Sequence, residues 1–134
     1  MMLTFHINKS PEIVKDYLTD MEKFVEVHPV IYKFENKGKN EYLIFERLEF
    51  LFIPVSFTYP AKIELDEKNN RVIMSAIVKK VIHINMHFDL EKKDGKTKIT
   101  EVVMFRSFLP VNFLMERIFK KQHTKLFENI EATK

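Results

Sequence analysis

Glu46, Tyr59 and Glu101 each sit in phase with Ile, Leu, Val, Met and Phe neighbours in alternating segments, so each is directed toward an apolar interior. A carboxyl group surrounded by Phe and Met is desolvated and its pKa rises, which suits a general acid or base, with a tyrosine hydroxyl placing an oxygen. These three residues are the catalytic candidates. Other chemistry is poorly served. The chain has no cysteine, which removes thiolate nucleophiles, disulfides and cysteine metal sites together. His83 and His87 have the spacing of a ligand pair, but they lie in a strand-like segment, where residues four apart are separated by about 13 Å. His6, His28 and His123 are dispersed and read as surface or hydrogen-bonded imidazoles. Gly38 and Gly95 stand alone in turns, so no phosphate-cradling loop can be built. Ser56, Ser75 and Ser107 lie in no nucleophile elbow. No metal and no cofactor are expected.

The elements that must position these groups follow from periodicity. Leu3, Phe5 and Ile7 alternate with polar residues as in a strand. Ser10 and Pro11 then cap and start a short helix carrying Ile13, Val14, Tyr17 and Leu18. Thr19 with Glu22 reads as a capping box for a second helix, which Pro29 stops. From Val30 to Phe108 the pattern is strand-like, broken at 36–40, 51–54, 66–70, 79–80 and 94–95, and so predicts six strands in a meander. Beyond Pro110 a helix runs to about Glu131, with Val111, Met115, Ile118, Phe119, Leu126 and Ile130 at helical spacing. Gln122 and Asn129 interrupt that stripe, and His123 falls on its flank.

Paired residues of a hairpin share a face, so turn length assigns the wall. A two-residue Asp94-Gly95 turn pairs Phe88 with Glu101, Met86 with Val103 and Ile84 with Phe105. A four-residue turn over 51–54 pairs Leu48 with Phe57, Glu46 with Tyr59 and Ile44 with Ala61, turning Arg47, Glu49, Lys62 and Glu64 outward. Met74, Ala76 and Val78 join the inner wall if the turn at Lys79-Lys80 takes three residues. Arg106 falls on the outer face.

This order, and the stretch from Phe5-His6-Ile7-Asn8-Lys9-Ser10-Pro11-Glu12-Ile13-Val14 through Tyr17-Leu18-Thr19-Asp20 to the last helix, resembles the START-like superfamily, also called SRPBCC or birch-pollen-allergen-like. The resemblance implies an α+β helix-grip fold, β-α-α-β6-α, with a seven-stranded curved antiparallel sheet wrapped around a long C-terminal helix. It also implies a cavity between sheet and helix, entered among the end loops and the turn at His28-Pro29. Members of the superfamily include lipid carriers, polyketide cyclases and chaperone regulators, so the fold leaves the activity open.

Composition bounds the rest. At 134 residues and 46% hydrophobic the chain is one domain, residues 1–134, with a core large enough to fold unaided. No stretch resembles a membrane span or a signal peptide, which favours the cytoplasm. A net charge of +3 with interleaved signs along the last helix names no anionic partner, and nucleic acid is not expected. Thirteen Phe and seven Met describe either a dense aromatic core or a soft-walled pocket. The end loops around Phe52, Ile53, Phe108 and Leu109 are apolar with Lys79 and Lys80 beside them. They plug the domain, ring a pocket mouth, or pack on another subunit or a membrane, the last being least favoured; oligomeric state stays open.

The leading expectation is binding or transport of a hydrophobic small molecule, lipid-like or aromatic. Its site would be Ile44, Glu46, Leu48, Phe57, Tyr59, Met74, Ala76, Ile84, Met86, Phe88, Glu101, Val103, Phe105, Met115, Ile118, Phe119, Gln122 and Leu126. A cyclase-like enzyme using a cavity carboxylate and a protein-interaction module are the alternatives.

Overall fold

The computed structural model describes residues 1–50 and 52–134. Its elements run β1 (Met2–Ile7), α1 (Pro11–Thr19), α2 (Met21–Val27), β2 (Ile31–Gly38), β3 (Glu41–Phe50), β4 (Ile53–Asp66), β5 (Arg71–Val78), β6 (Ile82–Lys93), β7 (Lys96–Arg106) and α3 (Asn112–Glu131). The seven strands form one antiparallel sheet in the order β1-β7-β6-β5-β4-β3-β2. This is the expected meander, with the first strand returning to pair beside the last. The sheet presents one apolar face to α1 and the C-terminal half of α3, and the core lies between them.

Local chemistry sets the boundaries. Ser10 caps α1, its hydroxyl accepting from the Ile13 amide, and Pro11 fills the first turn where no amide hydrogen is needed. The cap of α2 is Asp20 rather than Thr19: the Asp20 carboxylate accepts from the amides of Glu22 and Lys23. Thr19 closes α1 instead, its hydroxyl donating to the Lys15 carbonyl. A carboxylate is the stronger acceptor at a positive helix end, so it displaces the hydroxyl one residue earlier.

The hairpins test the face assignment. Lys93 pairs with Lys96 across Asp94 and Gly95, both at positive φ (52° and 79°), and Phe88–Glu101, Met86–Val103 and Ile84–Phe105 pair as expected. Val78 pairs with Ile82, so the Lys79 turn does span three residues and Met74, Ala76 and Val78 belong to the inner wall. Between β3 and β4 the register differs from expectation. Pairing continues outward to Phe50 and Ile53, so Leu48 faces Val55, Glu46 faces Phe57 and Ile44 faces Tyr59. The slip is two residues, one full side-chain period, so every inward residue stays inward. Leu51, part of the expected loop, lies outside the described residues. Arg106 is exposed on the outer face, opposite His83.

Candidate functional site

Two connected chambers lie between the sheet and α3. The inner one, about 60 Å³, is walled by α2 (Met21, Phe24), by β3–β6 and by Phe119, His123 and Leu126 of α3. The outer one, about 230 Å³, runs between Leu48, Val55, Phe57, Val78, Lys79 and Ile82 of the sheet and Met115 and Ile118 of the helix. Glu46, Tyr59, Ile84, Phe119 and Gln122 line both and form the neck between them. The interior is thus neither solid nor capacious: Phe and Met fill most of it and leave a narrow apolar passage.

Most of the expected wall lines one chamber or the other. Ile44, Met74, Ala76, Met86, Phe88 and Leu126 belong to the inner chamber, and Leu48, Phe57, Met115 and Ile118 to the outer. Glu101, Val103 and Phe105 stand behind that wall: Val103 is fully buried, and Phe105 packs edge-on against Phe119 with centroids 5.1 Å apart. Phe52, Ile53, Phe108 and Leu109 line neither chamber. They project into solvent, Phe52 at 97% and Phe108 at 80% exposure, and Phe113 at the start of α3 joins them at 74%. These loops do not plug the domain. Met21, Phe24, His28 and Ile31 are wall residues that periodicity does not reveal; of these, His28 enters the sequence reading only through the turn near the entrance.

Two buried carboxyls are handled differently. Glu46 receives a hydrogen bond from the Tyr59 hydroxyl, 2.8 Å to Oε1, at the neck. Burial pushes the Glu46 carboxyl above its ordinary pKa, partly opposed by the bond from Tyr59; burial and the adjoining carboxyl push the Tyr59 phenol up as well. Glu101, fully enclosed, places Oε2 2.5 Å from Nδ1 of His123. Its other oxygen, Oε1, has no partner. His123 therefore occupies the middle of the buried face of α3, with Leu126, Phe127 and Ile130, and not the flank. Asn129 fastens the same end, its side-chain amide donating to the Val27 carbonyl at 2.8 Å.

His28 caps the end of α2 and turns its ring back on the chain. Its Nδ1 accepts from the amides of Val30 (3.2 Å) and Ile31 (3.0 Å). Burial, and secondarily the neighbouring His123, lower its pKa to about 3, so the ring is neutral at ordinary pH. Among the described residues no group of three or more His, Asp or Glu side chains is placed to hold a metal ion.

A seven-stranded antiparallel sheet gripping a C-terminal helix over an apolar passage defines a START-like helix-grip protein. The chain superposes on a START superfamily protein from Mycobacterium smegmatis with TM-score 0.78 at 12% identity, over 98% of this chain and 94% of that one. It is similar in fold to the ZhuI aromatase/cyclase from Streptomyces (TM-score 0.73, 10% identity, 98% and 90% covered) and to Ara h 8.0201 (TM-score 0.69, 18% identity, 98% and 97% covered). A family profile matches residues 4–132, and the chain belongs to that family, the carbon monoxide dehydrogenase CoxG family. No curated protein matches it in sequence. No helix among the described residues is long and apolar enough to cross a membrane.

Proposed function

We propose that the protein binds an apolar small molecule in the passage between the sheet and α3 and carries or sequesters it without chemical change. The observation behind this reading is continuity: an apolar inner chamber opens through the Glu46–Tyr59 neck into a wider chamber beside the half-buried Met115 and Ile118. Pockets of this kind hold ligands by apolar contact and orient them with a few polar groups. The lipid-carrier and aromatic-ligand chemistries of similar folds are both compatible with such a wall.

Titration with anilinonaphthalene sulfonate tests it. The wild type should bind the dye with enhanced fluorescence, and Ala76→Trp, which fills the inner chamber, should weaken binding at least tenfold while circular dichroism stays native. Absence of dye binding, together with solvent extracts that carry no apolar compound in mass spectrometry, would refute the carrier reading.

A second reading, a cyclase-like enzyme, is favoured by one observation: Glu46 faces both chambers with its neutral form stabilised and a phenol on its carboxyl. Turnover of an enolisable guest would then follow a titration that Glu46→Gln abolishes while dye affinity survives. A Glu46→Gln variant with unchanged turnover would reject that assignment.

A further inference from the structure

The inner chamber contains two imidazoles whose proton positions are dictated by their partners. Nδ1 of His28 accepts from two backbone amides, so it carries no proton, and the single hydrogen of the neutral ring is on Nε2. Nδ1 of His123 is held on the Glu101 carboxylate, leaving its Nε2 as the free ring nitrogen. Both rings line the same chamber. Among the described residues the one side-chain polar atom that is fully enclosed and unpartnered is Glu101 Oε1. The two Nε2 atoms, which no described protein group engages, therefore open onto the cavity.

The charge of the His123–Glu101 pair decides what His123 offers. The titratable groups facing this chamber are Glu46, Tyr59, His28 and His123, and among the described residues no Lys or Arg lines it. A carboxylate at 0% exposure with one bare oxygen is costly unless a cation adjoins it. A proton on each nitrogen of His123 makes the pair neutral overall and turns Nε2 into a charge-assisted donor. The Tyr59 hydroxyl is already committed to Glu46. What the chamber lacks is an acceptor for two N–H groups.

We propose that His28 and His123 form a two-donor seat for one carbonyl oxygen, and that the ligand is an apolar molecule with a ketone-type carbonyl at its leading end. The proposal rests on the binding function above and goes beyond it by naming the group that enters first. The oxygen takes the inner chamber, between the imidazoles, and the hydrocarbon part lies in the neck and the outer chamber. A hydrocarbon of the same shape leaves both N–H groups unsatisfied, which is the situation in which a polar site discriminates most strongly.

Three probes of nearly one shape test this: acetophenone, isopropenylbenzene and the secondary alcohol phenylethanol. Calorimetric titration of the wild type should give acetophenone at least tenfold tighter binding than isopropenylbenzene, and infrared spectra should show the bound carbonyl stretch lowered in frequency. His28→Phe should bring the two probes to parity and remove the infrared shift. His123→Phe strands Glu101, so the double variant His123→Phe/Glu101→Leu is the partner experiment, with the same loss expected. Equal affinities and an unshifted carbonyl in the wild type would overturn the seat while leaving apolar binding intact. Tighter binding of phenylethanol than acetophenone would make His123 Nε2 an acceptor and also overturn it. Failure of all three probes to bind, in a protein that also ignores the dye, would remove the binding function itself.

Discussion

The two halves of α3 live in different environments. In the C-terminal half His123, Leu126, Phe127 and Ile130 are buried, Phe127 lies between Phe5 (centroids 4.7 Å) and Phe88 (5.9 Å), and Asn129 ties the helix to α2. In the N-terminal half Phe113 and Leu114 are exposed, Met115, Ile118 and Phe119 only half-cover the chambers, and Val111 provides no side-chain cap. One continuous helix is thus an anchor at one end and a loosely seated cover at the other. Stability and access to the cavity are assigned to different turns of the same element, so a change in one need not disturb the other.

The sharpest way to break this division is to cut into the anchor. Phe127→Ala should cost about 3–5 kcal/mol by cavity formation in a packed core, whereas Phe113→Ser should stay within about 0.5 kcal/mol; urea denaturation measures both, and similar losses would erase the distinction. Next in size is the buried pair inside the anchored half. Glu101→Leu or His123→Phe alone should destabilise by about 3 kcal/mol, while the double variant recovers much of that, because the penalty belongs to the stranded partner. A strictly additive double-mutant cycle would show that the two side chains do not act as a unit.

Acid should reach the molecule through His28. Its pKa is lowered from an ordinary value near 6.5 to about 3 in the folded state. The unfolded chain therefore takes up a proton that the folded one refuses, and stability present above pH 6.5 is lost as pH falls toward 3. The ring keeps some solvent contact, so about 2 kcal/mol is the expected scale. His28→Asn, whose side-chain oxygen can accept the same amides without titrating, should flatten the stability profile across that window. The smallest effect belongs to Glu46. Its folded pKa is raised, so its cost appears as pH climbs above the ordinary carboxyl value. Glu46→Gln should raise Tm by a few degrees at pH 8 and by nothing at pH 3; a gain independent of pH would point to packing rather than charge.

Much of this architecture was legible in the residues. The alternation of β6 and β7 around Asp94-Gly95 assigned Glu101 to the inner face, and the two-residue slip between β3 and β4 left Glu46 and Tyr59 inward because a strand repeats every two residues. The helix was less clearly readable. Successive residues turn by about 100°, and with Gln122, His123 and Asn129 all inside a broad stripe, periodicity did not show that His123 and Phe127 lie at its centre. Asp20 was hidden for a similar reason: Thr19 and Asp20 are adjacent and both are competent caps, and only the amides of Glu22 and Lys23 choose between them.

Short-range order, then, was written in the chain: which segments extend, which coil, and which side of each strand meets the core, since each depends on neighbours within a few residues. The meeting of Glu101 with His123, 22 positions apart, and of His28 with the same chamber depends on how the sheet curves and how α3 seats upon it. So does the size of the passage, because a cavity is the small difference between the volume the backbone encloses and the volume its side chains fill, and no local pattern encodes that difference.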